Sequence, residues 1–460
     1  MSGSLLWAPR AWVDGAWAEG VRLEVGSDGH WASVIPATTP PPGATVLAGP
    51  VLPGLVDAHS HAFQRAFAGM AERLGAQRGA DDFWSWRDRM YGVALRITPV
   101  QLQAVATLLY GELLQGGYTQ VCEFHYLHHA EDGRPHADAL AMSRALAQAA
   151  VDTGIGLTLL PVLYERAGFA QPVLRADQRR FATDVAQVLA LRDGIRALQW
   201  PGVTAGVAIH SLRAASPASM RQLALALRDD AAPIHIHVAE QTAEVQDCLA
   251  STGARPIEWL ARELPLDARW QLVHATHATA RELAAVAASG AGVVLCPATE
   301  ANLGDGLCDL PGWLDAGVPL ALGSDSQVTR AWPEELRWLE YGQRLALRRR
   351  NVAAAVQGER ATAARLFEGM LDGGRRAAGL ARWGLQPGAR ADLLVLDTQD
   401  SALQGLPGSH LLDGLVFAAP ARPFAQVMVG GRWTGGARAG HAAQFAHAMH
   451  ALWRNVDGTP

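Results

Sequence analysis

The stretch VLPGLVDAHSHAFQRAFAG places His59 and His61 one residue apart at the end of an apolar run. In a strand, residues i and i+2 point to the same face. Two imidazoles so placed can converge on one point, as the nitrogen ligands of a metal must. The pair alone is a weak signal, because most buried histidines only satisfy a hydrogen bond. Other ionisable residues end similar apolar runs: His125 and Tyr126 in QVCEFHY, His210 in GVAIHSL, and His235, His237 and Glu240 in PIHIHVAE. His274 ends a run in QLVHATH, and Asp325 in PLALGSDS. A catalytic zinc centre needs a few nitrogen and oxygen ligands and an open position for water. His59, His61, a histidine of the pair His235/His237, and Asp325 supply such a set. Buried ionisable groups that converge are costly unless paired or bound to a cation, and a divalent metal removes that cost.

The elements that must hold these residues follow a rhythm. Eight short apolar runs (LVDAHSH, QVCEFHY, GLTLLPVLY, GVAIHSL, PIHIHVAE, QLVHATH, GVVLCPAT and PLALGSDS) alternate with helical stretches. In TPVQLQAVATLLYGELLQGG, Thr98 can cap, Pro99 suits the first turn, and Gly116 or Gly117 ends the helix. Ser216 and Pro217 repeat those roles in SPASMRQLALALRDD. Strands alternating with helices predict a parallel sheet, and eight units predict closure into an α/β, (β/α)8 TIM-like barrel, whose active site lies at the C-terminal ends of the strands. The ionisable residues gather at that end. The flanks read as short strands separated by glycine and proline, with a hairpin turn at Gly430-Gly431. Residues 1–50 and 385–435 are predicted to form one small composite β-sandwich, 51–384 the barrel, and 436–460 a helical C-terminal extension. The Pro-rich ATTPPPG reads as a linker. His441, His447 and His450 of the extension are read as surface residues.

Composition narrows the partners. The chain has 460 residues, 49% hydrophobic and 18% charged, with a formal net charge of -5. That length suits a large core and two domains. No basic surplus invites nucleic acid or an anionic membrane, and the run Arg348–Arg350 reads as a solvated helix end. No apolar stretch of about 18 or more residues predicts a membrane span, and the N-terminus lacks a signal-peptide pattern. Four scattered cysteines (Cys122, Cys248, Cys296, Cys308) read as free thiols of a cytoplasmic protein.

The order HxH, HxxE, a lone histidine and SD at the last strand resembles the amidohydrolase superfamily, in its mononuclear deaminase branch. The resemblance spans essentially the whole chain. It implies metal ligands His59, His61, His237 and Asp325, with Glu240 as proton shuttle and His274 orienting and activating the water. Asp325 then also shares in holding the water's proton. His235 is left as a supporting or core residue. The bridging lysine of two-metal members has no candidate here, so one divalent metal is expected, Zn2+ or alternatively Fe2+. The segments HAFQRAFAG, DDFWSWRDRMY, EFHYLHH and AIHSLR resemble the formimidoylglutamate deiminases of bacterial histidine breakdown. That family converts N-formimino-L-glutamate to N-formyl-L-glutamate and ammonia. The resemblance implies substrate contacts at Gln64, Arg87, Tyr126, His210 and Arg213, and a homodimer. Two arginines suit a substrate with two carboxylates. Against this stand surface pairing of Arg87 with Asp82 and Asp88, and loop packing for Trp84 and Trp86. His128 and His129 are read as surface or lid residues, and Asn302 as a possible loop contact without a role. The alternative is a mononuclear metal deaminase of a nucleobase or triazine-type ring, and, from another class, a non-catalytic binding barrel.

Overall fold

The computed structural model describes residues 4–72, 83–355, 361–419, 424–435 and 439–454. Asp82 and the side chains of Trp84 and Asp88 lie outside the described residues. The chain opens with β1 (Leu5–Val13), β2 (Ala16–Val25), β3 (Trp31–Pro36), β4 (Thr45–Val46) and β5 (Val51–Leu52). Then come β6 (Leu55–Ser60), β7 (Tyr118–His125), β8 (Gly156–Leu163), β9 (Val203–Ala205), β10 (Val207–Ser211), β11 (Ile234–Val238), β12 (Trp270–His274), β13 (Gly292–Leu295) and β14 (Leu320–Leu322). The tail adds β15 (Leu393–Leu396), β16 (Phe424–Val429) and β17 (Arg432–Trp433).

Each of the eight apolar runs is a strand. Parallel pairing runs β6–β7–β8 and β10 through β14; β10 bonds back to β8, and β14 returns to β6. The ring is therefore closed. Burial is complete along these strands, as expected when helices cover the outside and side chains fill the inside. The short β9 extends the edge of β8. It was not foreseen, because three residues between Gly202 and Gly206 give no periodicity.

The predicted caps are formed. Thr98 and Gln101 make a capping box on Pro99–Gln115, which ends at Gly116, and the Ser216 side chain accepts from Ser219 N. The helix Thr362–Ala377 packs on β6, β13 and β14. A Cβ at Gly373 would strike the Leu320 carbonyl, so glycine is what lets this helix touch the last strand. Both chain ends contribute to one hydrogen-bonded mixed sheet, ordered β17-β16-β15-β5-β1-β2-β3 with β4 beside β1. Its own core includes Leu6, Leu23, Trp31 and Leu393. Gly430-Gly431 forms the β16–β17 turn. In the final helix His441 is half-buried, and His447 and His450 are exposed. Among the described residues no helix is long and apolar enough to cross a membrane.

Candidate active site

The strand pleat sets which side chains meet. His59 and His61 share a face at the end of β6, and His237 comes from β11. His59 Nε2 lies 3.1 Å from His61 Nε2 and 3.0 Å from His237 Nε2. Asp325 Oδ1 stands 3.5 Å and 3.4 Å from the same nitrogens of His59 and His61. His61 Nδ1 donates to the Phe124 carbonyl and His237 Nδ1 to the His210 carbonyl, both at 2.9 Å. Those two bonds fix the tautomer and turn the Nε2 lone pairs inward. Burial, the first cause, depresses all three imidazoles, His59 to about 3. They are therefore neutral donors. Burial alone would raise Asp325, but contact with His59 and the fields of His274 and His61 hold it below the usual carboxylate range. His59, His61 and His237 place their Nε2 atoms close enough to share one cation, and Asp325, grouped with His59 and His274, adds a carboxylate beside them, a donor set that suits a divalent ion.

Backbone geometry aims these groups. Asp325 N donates to His59 O at 2.9 Å, and His61 N to Asp325 O at 3.2 Å. A Cβ at Gly323 would stand 2.7 Å from His59 Cβ, so only glycine permits this approach of the last strand. Ala239, His274 and Asp325 all have left-handed φ (52°, 70° and 47°). Such conformations cost on the order of 1–3 kcal/mol each and gather at functional sites. Here each bends the chain into the barrel mouth just past a strand. Beneath the donors, Glu123 accepts from Ser60 Oγ (2.9 Å) and Ala62 N (2.6 Å), while Ser324 donates to Asp57 through N (2.9 Å) and Oγ (2.5 Å).

The acid–base residues sit beside the donors. His274 Nε2 is 3.8 Å from both Glu240 Oε1 and Asp325 Oδ2. Its Nδ1 is 3.3 Å from Glu300 Oε1. Burial would lower His274, but the carboxylates of Glu240, Glu300 and Asp325 push it up to about 10. Burial raises Glu240 to about 7 against the pull of His274 and Arg213. A buried carboxyl near neutrality suits a group that must take and give a proton at physiological pH.

One cavity joins these groups to the predicted substrate residues. Gln64, Arg87, Tyr126, His210 and Arg213 line it together with His61, His237, Glu240, His274 and Asp325. His59 lies behind them, fully buried. Gln64 Nε2 donates to Tyr126 Oη at 3.2 Å, and His210 packs at 4.4 Å from the Tyr164 ring. Arg87 is lowered by burial first and then by the charges of Arg213 and Arg175 beside it. Its guanidinium stands 5.7 Å from the Tyr91 ring centre. The cavity thus has an oxygen-and-nitrogen donor cluster, an aromatic wall and a cationic region.

Several sequence readings need adjustment. His125 ends β7 but does not line the cavity; the pleat turns Phe124 and Tyr126 toward the donors instead. His128 is not a surface or lid residue: it is 4% exposed and packs 5.0 Å from His125. His235 faces the donor side at a lower level, where Nε2 bonds to the Ala377 carbonyl at 2.8 Å. Trp86 packs on Phe67 at 5.3 Å and also lines the cavity. Asn302 donates to Glu72 at 2.9 Å, a loop-to-loop contact. Glu300, Tyr91 and Tyr164 were not singled out, because a lone carboxylate or phenol in a helical or strand pattern carries no spacing signal.

A family model described as the amidohydrolase family matches residues 51–434. A formimidoylglutamate deiminase of Pseudomonas aeruginosa is 46% identical over 432 residues, 94% of each chain. An 8-oxoguanine deaminase of the same species is 30% identical over 395 residues, 83% of this chain and 81% of its own. The crystal structure of an amidohydrolase from Brucella melitensis matches with a TM-score of 0.92 at 42% identity, covering 98% of this chain and 99% of that one.

Proposed function

The chain belongs to the amidohydrolase family, and on that premise we propose that it hydrolyses N-formimino-L-glutamate to N-formyl-L-glutamate and ammonia, a step of histidine breakdown. The observation that carries this reading is the pairing, in one cavity, of the donor cluster with Arg87 and Arg213. A linear dicarboxylate bearing an amidine has a matching partner for each region. A neutral ring has no use for two guanidiniums.

His59, His61, His237 and Asp325 would hold one divalent cation, zinc or iron(II). Once bound, that ion supplies the Lewis acidity that brings the pKa of water toward neutrality. Glu240 takes a proton from the attacking water and delivers it to the departing nitrogen. His274, between Glu240 and Asp325, holds the attacking oxygen by hydrogen bonding. The water oxygen adds to the formimino carbon, its second proton is taken up by Asp325 and passed on to nitrogen as the carbonyl forms, the bond to the terminal nitrogen breaks, and ammonia leaves. Arg87 and Arg213 bind the carboxylates, and Gln64, Tyr126 and His210 orient the chain between. The reading includes a homodimer in the cytoplasm, a compartment that suits four buried free cysteines.

The test is ammonia release from N-formimino-L-glutamate, N-formimino-glycine and 8-oxoguanine, with metal analysis of the same preparation. The expected result is preference for the glutamate derivative and about one metal per chain. Faster turnover of the ring substrate would overturn the assignment.

A further inference from the structure

We infer that Glu300 is a positioning residue, which holds His274 in the ring orientation that the reaction uses. Glu300 lies on the helix Pro297–Leu303, directly after β13, and is 4% exposed. Its Oε1 faces His274 Nδ1 at 3.3 Å and accepts from Cys296 N at 3.0 Å. The Cys296 bond ties the carboxylate to the start of its own helix, so the oxygen is held in place before it meets the imidazole.

The consequence for His274 is geometric. A carboxylate can only accept at Nδ1, so Nδ1 carries the proton. Nε2 then turns to the cavity, midway between Glu240 and Asp325 at 3.8 Å from each. The left-handed backbone at His274 (φ 70°) leaves the strand ladder just as the side chain must point inward, so pleat direction alone cannot fix the ring. An acid on the far nitrogen does. This follows the logic by which a buried acid orients a catalytic imidazole and by which supporting bonds orient groups at a metal centre. Glu300 does not line the cavity, so its effect passes through His274 and not through substrate. The inference rests on the proposed amidine hydrolysis only for its kinetic readout.

The experiment compares Glu300→Leu and Glu300→Gln with the wild type. Glutamine keeps an acceptor oxygen for both Nδ1 and Cys296 N; leucine removes it. Glu300→Leu should lower kcat about 10–100-fold, with KM within about twofold and metal content unchanged. Glu300→Gln should recover most of kcat. Chains labelled with 15N-histidine should show a hydrogen-bonded, exchange-protected Nδ1–H for His274 in the wild type and in Glu300→Gln, lost in Glu300→Leu. Equal losses in both variants, or loss of metal in Glu300→Leu, would assign Glu300 to packing and sink the inference. An unchanged His274 Nδ1–H signal in Glu300→Leu would sink it as well. If the wild type fails to release ammonia from N-formimino-L-glutamate, the proposed reaction falls, while the nitrogen spectra still decide the role of Glu300.

Discussion

The two regions of the cavity are built differently. The donor cluster comes from strand ends, and its members are tied by backbone bonds: between the adjacent strands β6 and β14, His61 N donates to Asp325 O and Asp325 N to His59 O, and the His61 and His237 rings donate to neighbouring carbonyls. The cationic region comes from the helix Phe83–Ala94 and the turn after β10. Arg87 is half-buried there, whereas His59 is fully buried. In the proposed reaction the ring of strands supplies the chemistry, and the segments attached to it select the substrate.

The largest effect should come from the rigid region. Glu240→Gln keeps the shape of the side chain but cannot carry a proton, and should lower kcat about 10²–10⁴-fold with metal retained. A loss under about tenfold would mean that another residue moves the proton, and the division of labour would need redrawing. Next come the arginines. Arg213→Met and Arg87→Met should each cost on the order of 2–5 kcal/mol, roughly a thirtyfold to several-thousandfold fall in kcat/KM at about 1.4 kcal/mol per decade. The fall should shrink for N-formimino-glycine, which lacks one carboxylate. Equal losses on both substrates would make the arginines structural and erase the contrast.

The smallest effect links the two regions. Glu240 must be ionised to accept the first proton, so kcat/KM should rise with pH through its titration. Burial places that near about 7, with His274 and Arg213 pulling it down, and a bound cation lowers it further. Arg213→Met removes one of those pulls. The rising limb should then move to higher pH, by about half a unit as an order of magnitude. A pH–rate profile of both proteins measures it; a limb that stays put would show that the two regions do not sense each other.

Much of this was legible in the sequence, for physical reasons. A buried parallel strand is a short apolar run, and eight of them with ionisable ends are hard to miss. Thr98 and Pro99 announced their helix. What escaped notice depended on partners distant in the chain. Asp57, Glu123 and Glu335 are buried carboxylates held by Ser324, by Ser60 and Ala62, and by Thr329 and Ala298. Nothing local marks them. Burial raises them to about 7, 8 and 8. His128 was misjudged because His-His after a strand looks like a solvated loop, whereas the segment folds back so that His128 N bonds to the Arg180 carbonyl at 3.0 Å.

The barrel closes where β14 meets β6, and the donor cluster straddles that seam. On the ribosome this sets an order of events. His59 and His61 are made early, and Asp325 is the last of the set. At about 5–20 residues per second, the paired imidazoles wait on the order of ten to fifty seconds for their carboxylate. A copy released just before residue 325 carries the three histidines but neither the carboxylate nor a closed ring. The strand that closes the ring is therefore also the one that brings Asp325 to the histidines.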